Sequence, residues 1–283
     1  MTDKQIILVT GASSGFGKIT ASLLAQQGHI VYGTSRKETT GTPEGVRMIK
    51  MDVIDTASIH EAIARIISEQ GRIDVVVNNA GVGISGAIEL ATDEEIAWQM
   101  NTNFTGVTRV CSAVLPYMRK AGKGKIINIS SIGGVIAVPF QGFYSASKFA
   151  VEGYSEALAV EVHPFGIQVC LVEPGDFNTN FTANRNISSA TQEHPDYKET
   201  FARSMGIIED AENNGSHPEK LGQVICKLVK AKRPAFRTKV GPFDQVLFAR
   251  VKGFLPDKLV HAVIRFFIRS SEKATDRYGF TGP

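Results

Sequence analysis

The chain has 283 residues, 43% of them hydrophobic and 21% charged, with three cysteines and a formal net charge of +3. That is enough apolar material for one large α/β core, and it excludes a disordered chain or a small disulfide-stapled scaffold. Cys111, Cys170 and Cys226 stand far apart without a C-x-x-C pair, so buried thiols in a reducing cytoplasm are expected, and no metal site.

Residues 1–5 are polar and lead straight into an apolar run, so no secretory signal is expected. No stretch of about 18 apolar residues occurs, which argues against a spanning helix. Residues 6–10 (IILVT) read as a strand, and a glycine-rich turn follows. A helix is predicted over 18–27, closed by Gly28, with strands at 30–34 and 46–51. Residues 56–70 place Ile59, Ile63, Ile66 and Ile67 on one helical face. Strand 73–77, a long helix over 94–116, strand 125–130, helix 145–163 and strand 167–173 complete the regular part.

Apolar strands alternating with helices predict a Rossmann-like, doubly wound parallel sheet, covered on both faces, in a single domain. Ligands on such a sheet bind outside the carboxyl ends of the strands. The cofactor-binding and catalytic core is assigned to 1–175. Residues 176–218, rich in Asn, Ser, Thr and Glu, read as a mobile substrate loop or lid with short helices. A helix over 218–230 follows, and then a C-terminal helical extension over 234–283.

The first turn reads Thr10-Gly11-Ala12-Ser13-Ser14-Gly15-Phe16-Gly17. Its glycines let a pyrophosphate approach bare N–H groups at a helix N-terminus. After the second strand come Ser35 and Arg36, with no carboxylate. An acid there bonds the adenosine ribose, whereas an arginine accommodates a 2′-phosphate. NADP(H) is therefore the expected cofactor, with NAD(H) as the alternative.

The fifth strand ends in Ser130-Ser131; Tyr144 lies thirteen residues beyond Ser131, and Lys148 four further on. Positions i and i+4 share a helix face, and an ammonium beside a phenol favours phenolate. Such a tyrosine can pass a proton to or from a carbonyl or alcohol oxygen, and Ser131 can hold that oxygen.

Taken together, Thr10-Gly11-x-x-x-Gly15-x-Gly17, Asp52-Val53, Asn78-Asn79-Ala80-Gly81, Asn103, Ser131, Tyr144-x-x-x-Lys148, and Pro174-Gly175 with Thr179 resemble the short-chain dehydrogenase/reductase family over residues 6–179. The resemblance implies an oxidoreductase that interconverts a ketone or aldehyde and an alcohol. Gly11, Ser13, Ser14, Gly15, Phe16, Gly17, Ser35, Arg36, Asp52, Val53, Asn79, Ala80, Gly81, Pro174, Gly175, Phe177 and Thr179 would hold the cofactor, together with Tyr144 and Lys148. Tyr144 would be the proton donor or acceptor, and Lys148 would tune it. Ser131 would orient the carbonyl, and Asn103 would hold a water in a proton relay. Asn103 bonding its own helix and Asp52 serving only as a turn residue are the plainer readings. His163, His194 and His217, near prolines, read as surface or capping residues.

Position also marks Gly83, Ile84, Ile132, Val138, Phe140 and Phe181 as lining a substrate pocket, mostly apolar and without clustered arginines. A small lipophilic carbonyl or alcohol is the expected substrate, and residues 144–166 are similar to hydroxysteroid- and retinol-type members. A homodimer or homotetramer without nucleic acid is expected. A catalytically weak cofactor-binding regulator on the same fold is the competing function, disfavoured by the intact Ser131, Tyr144 and Lys148.

Charge is uneven: residues 230–283 hold 12 Lys/Arg against 4 Asp/Glu, a local +8, and the rest 19 against 24, a local −5. In the tail, Phe243, Val246, Leu247, Val251 and Phe254 share a helical face, and residues 259–268 are apolar but for His261 and Arg265. A basic, apolar helix of this kind lies on a membrane surface, packs over the cleft, or packs on a second subunit.

Overall fold

The computed structural model describes residues 4–38 and 43–269. The regular α/β alternation runs β1 (Ile6–Val9), α1 (Gly15–Gln26), β2 (Ile30–Ser35), β3 (Val46–Lys50), α2 (Thr56–Gln70) and β4 (Val75–Asn78). A two-residue strand β5 (Ile84–Ser85) and helices α3 (Asp93–Met100) and α4 (Gly106–Ala121) precede β6 (Gly124–Ile129), α5 (Gly142–Val162) and β7 (Ile167–Pro174). Then come β8 (Asn186–Ile187), α6 (Ser189–Glu193), α7 (Lys198–Asn213), α8 (Glu219–Lys230), β9 (Arg237–Val240), α9 (Phe243–Val251) and α10 (Asp257–Arg269).

The main sheet has the order β3-β2-β1-β4-β6-β7-β9, and every pairing in it is parallel. Its strands are apolar because they are buried on both faces. Leu8, Val76, Ile126 and Leu171 join the core shared with α2, α4 and α5. Their sequence neighbours Ile7, Val77, Ile127 and Val172 join the core shared with α1 and α8. Strand order reverses between β1 and β4, which opens a crevice at their carboxyl ends. Cys111, Cys170 and Cys226 are free and buried.

Three expectations about the elements change. The long helix over 94–116 is interrupted by a π-helical turn at Asn101–Thr105 and then continues past the internal Pro116 to Ala121. The expected lid holds the sixteen-residue helix α7, with Phe201, Ala202 and Met205 in a small core of their own. The predicted extension begins inside the sheet, because Arg237–Val240 is the seventh strand. It is held there by charge. Lys239 Nζ lies 2.6 Å from the buried Glu173 carboxylate, and Arg237 Nε lies 3.1 Å from Glu152.

The tail also differs from a simple buried stripe. Phe248, Val263, Ile264 and Phe267 border a cavity, as a cleft cover would, though Val263 and Phe267 stay exposed. Phe243, Leu247, Val251 and Phe254 face outward. Residues 270–283 of the predicted extension lie outside the described residues. Among the described residues no helix is long and apolar enough to cross a membrane.

Candidate active site

The β1–α1 turn is shaped for close approach. Gly11 has φ 67°, and a Cβ on it would lie 2.9 Å from the Ala80 Cα. A Cβ on Gly17 would lie 2.2 Å from the Gly11 carbonyl oxygen. Asn79 Nδ2 donates to the carbonyls of Thr10 (2.9 Å) and Gly11 (3.3 Å), while the Thr10 hydroxyl accepts from the backbone N–H of Asn79 and Ala80. The asparagine turn after β4 therefore clamps the glycine turn. Ser14 caps α1 without a side-chain bond, and no acid stands in the helix's first turn. That leaves N–H groups and the exposed Ser13 and Ser14 hydroxyls for an anion, so these residues fit a nicotinamide dinucleotide.

Beside this cradle, Ser35 ends β2 and is buried, and the next residue, Arg36, is exposed. Asp52 Oδ1 accepts from the Ile54 N–H at 3.1 Å, the turn role named as its plainer reading. Val53 is buried where a Cβ on Gly106 would touch it.

Asn103 sits in the π turn and is fully buried. Its Oδ1 accepts from Val82 N–H (2.8 Å), and its Nδ2 donates to Val82 O (2.9 Å) and Ser147 Oγ (3.2 Å). It thus fastens the segment after β4 rather than bonding its own helix.

Ser131, Tyr144 and Lys148 come together at the carboxyl end of β6. The Ser131 hydroxyl accepts from Gly133 N–H at 2.9 Å, donates to the Pro174 carbonyl at 3.4 Å, and stands beside the Tyr144 phenol, whose pKa it lowers. The helix carrying Tyr144 starts at Gly142, earlier than expected, which puts Tyr144 and Lys148 in its first two turns. Lys148 Nζ donates to the Ile129 carbonyl at 2.9 Å and lies 5.8 Å from the centre of the Tyr144 ring. Burial accordingly governs both groups. It raises the phenol above its ordinary value, against the lowering effect of Ser131, and it lowers Lys148 to about 8. Ser131 gives the largest lowering effect on the phenol, while the Lys148 ammonium stands 5.8 Å from the ring centre with one bond to the Ile129 carbonyl.

These three side chains floor a cavity of about 490 Å³, which Phe16, Asn79, Gly81, Pro174, Gly175, Phe177 and Thr179 also border. Its walls are apolar: Ile132, Val138, Phe181, Ile208, Phe248 and Phe267. A Cβ on Gly83 would lie 2.9 Å from the Phe181 ring, so glycine there makes room for that wall. Phe140 is not part of the wall. Its backbone turns at φ 59°, and its ring packs edge-on against Phe201 with centroids 5.4 Å apart. Ile84 likewise belongs to the β5–β8 pair and is buried. His194 and His217 accept backbone N–H groups of Asp196 and Glu219 through Nδ1, as capping residues do.

Sequence reasoning missed a polar corner of the cavity. Asp176, Glu212, Asp244 and Gln245 border it. Glu212 is ion-paired with the buried Arg185 and accepts from the Thr182 hydroxyl at 2.6 Å. Asp176 was findable, since it follows Pro174-Gly175 directly. The Arg185–Glu212 pair joins segments with no telling spacing.

A family model described as short chain dehydrogenase matches residues 5–190. A 3-ketodihydrosphingosine reductase from Bacteroides thetaiotaomicron is 65% identical over 263 residues, 93% of this chain and 97% of that protein. The human 17-beta-hydroxysteroid dehydrogenase type 1 is 32% identical over 83% of this chain and 76% of that protein. Among solved structures, a short-chain dehydrogenase from Streptomyces avermitilis superposes with a TM-score of 0.78 at 34% identity, covering 93% of this chain and 97% of that one.

Proposed function

The chain belongs to the short-chain dehydrogenase family and is an oxidoreductase acting on C=O and CH–OH groups, and from that premise we propose that it reduces a long-chain lipophilic ketone of the 3-ketodihydrosphingosine class, with NADPH preferred over NADH. The observation that carries this is the apolar cavity laid directly over Ser131 and Tyr144. The similarity to the Bacteroides enzyme over nearly the whole of both chains supports the choice of ketone.

Held along the β1–α1 turn and the Asn79–Gly81 turn, a bound nicotinamide cofactor would supply the hydride for the carbonyl carbon. Tyr144 gives its phenolic proton to the carbonyl oxygen, and Ser131 holds that oxygen by a hydrogen bond. The Lys148 ammonium offsets the negative charge left on Tyr144. Asn103 keeps the segment around Val82 in place beneath the site and is assigned the water of the proton relay. Asp52 and Val53 are assigned the adenine end.

The decisive assay follows NADPH oxidation with 3-ketodihydrosphingosine, a steroid ketone and retinal as competing substrates. The sphingoid ketone should show the highest kcat/KM by at least tenfold. Faster turnover of the steroid or the retinoid would replace this substrate class, and cofactor binding without turnover of any would favour the regulator. The same proposal takes the outward stripe Phe243, Leu247, Val251 and Phe254 as a peripheral lipid contact, and it takes the assembly as a cytoplasmic homodimer or homotetramer. Liposome flotation and light scattering check these two points.

The pH dependence follows from the two buried groups. Reduction needs the proton on Tyr144 and the charge on Lys148. The raised phenol keeps its proton through neutral pH, whereas Lys148 loses its charge through about pH 8. For a ketone without an amino group, reductive kcat/KM should therefore be level up to about pH 7 and fall through about pH 8. Oxidation needs Tyr144 as a base and should climb with pH. Profiles from pH 6 to 10 in both directions measure this, and a reduction rate that rises across pH 8 contradicts the assignment of Lys148.

A further inference from the structure

The cavity's acidic side chains gather at one corner, distinct from the Ser131, Tyr144 and Lys148 floor, and the charges there do not cancel. Of its three carboxylates, Glu212 is neutralised by Arg185, and Asp244 stands exposed in the first turn of α9. Asp176 is different. Its carboxylate accepts from Gln245 Nε2, and its backbone N–H donates to Gln245 Oε1 at 2.9 Å. A glutamine amide from α9 thus fixes the side chain but brings no positive charge. Among the described residues no lysine, arginine or histidine forms an ion pair with Asp176. Burial first, then Glu212 and Asp244, raise its pKa to about 6, against Gln245 and Arg185, so it is ionised at neutral pH.

This carboxylate is also close to the chemistry. After burial and the Ser131 bond, the charges acting on the Tyr144 phenol are those of Glu212, Arg185 and Asp176. A half-buried carboxylate that forms no direct ion pair is stabilised when a cation arrives to pair with it. Lys148, the cation on the cavity floor, is engaged by the Ile129 carbonyl.

We infer that Asp176 is the specificity-determining residue of this cavity, accepting a hydrogen bond from an ammonium group on the carbon next to the ketone of a long-chain 2-amino ketone. This rests on the sphingoid-ketone reading above and explains how it is told apart from a neutral ketone. With the carbonyl oxygen at Ser131 and Tyr144, the adjacent amino group turns to the Asp176 corner, and the alkyl chain runs along the walls at Ile208, Phe248 and Phe267. A bond from an ammonium to this half-buried carboxylate is charge-assisted, and losing one is expected to cost on the order of ten- to a hundredfold in kcat/KM.

The test compares 3-ketodihydrosphingosine with its deamino analogue of equal chain length, in the wild type and in Asp176→Asn. Asparagine keeps an acceptor for Gln245 and removes only the charge. The readout is the ratio of kcat/KM for the two ketones, so a general loss of activity cancels. The ratio should fall at least tenfold in Asp176→Asn. A second measurement needs no variant: the wild type should reduce the free amine at least tenfold better than the N-acetylated ketone. An unchanged ratio in Asp176→Asn, with the wild type still turning over the amino ketone, overturns the role of Asp176 alone. A wild type that reduces the deamino ketone but not the amino ketone overturns the substrate class as well.

Discussion

Tyr144→Phe should lower kcat for ketone reduction by about a thousandfold, within the range for removing a positioned proton donor. The ring itself remains, so its packing against Phe181, at 5.8 Å between centroids, survives. Lost ground-state hydrogen bonding with Ser131 accounts for only about 1 kcal/mol, roughly fivefold, so it cannot produce the effect. The remainder is chemistry, because the carbonyl oxygen that gains negative charge as the carbon takes the hydride has no acid to protonate it. Ser131→Ala should lose less, about ten- to a hundredfold, since it removes a holder of the oxygen and not the proton. Cofactor affinity, measured by fluorescence titration, should stay within threefold in Tyr144→Phe. Near-normal kcat in that variant would remove Tyr144 from the role of acid and direct attention to a solvent proton.

The sheet was legible because burial on both faces forces short, β-branched apolar runs such as IILVT and IDVVV. The strand Arg237–Val240 escaped notice for the opposite reason. It is an edge strand, its sequence RTKV carries two cations, and it is fastened by buried partners in Glu152 and Glu173 that no hydrophobic pattern announces. Helix α7 was hidden by its polar outer face, and its inward Phe201 and Met205 find their partners only after folding. In the site, the glycine turn, Asn79–Gly81, Ser131 and Pro174-Gly175 are tied to strand ends, while Asn103 stands in the π turn and Tyr144 and Lys148 in α5. Phe140 was misplaced because position was read without backbone direction, and a positive φ sends its ring away from the cavity. Asp176 and Gln245 are 69 residues apart, and nothing in the sequence links them until α9 folds over the cleft.

NADPH should be preferred over NADH by ten- to a hundredfold in kcat/KM, and Ser35→Asp should reverse that order. NADPH differs by a phosphate on the adenosine ribose. The β2 exit offers it Ser35, whose hydroxyl accepts from Lys37 N–H at 3.3 Å and can still donate its own proton, and Arg36, exposed at the rim. A guanidinium makes charge-assisted bonds to phosphate oxygens, worth roughly 1.5–3 kcal/mol, which is the size of the expected preference. Because Arg36 is exposed, part of that gain is screened, so the NADPH KM should rise with ionic strength more steeply than the NADH KM. Arg36→Leu should weaken NADPH about tenfold and leave NADH nearly unchanged. Ser35→Asp places a carboxylate where the phosphate sits and supplies an acceptor for the ribose hydroxyls, so NADPH weakens and NADH improves. Calorimetric titration with 2′-phospho-AMP and AMP gives the same comparison without turnover. Equal affinity of the wild type for those two nucleotides, or an Arg36→Leu variant that binds both as the wild type does, would show that this strand end does not read the phosphate.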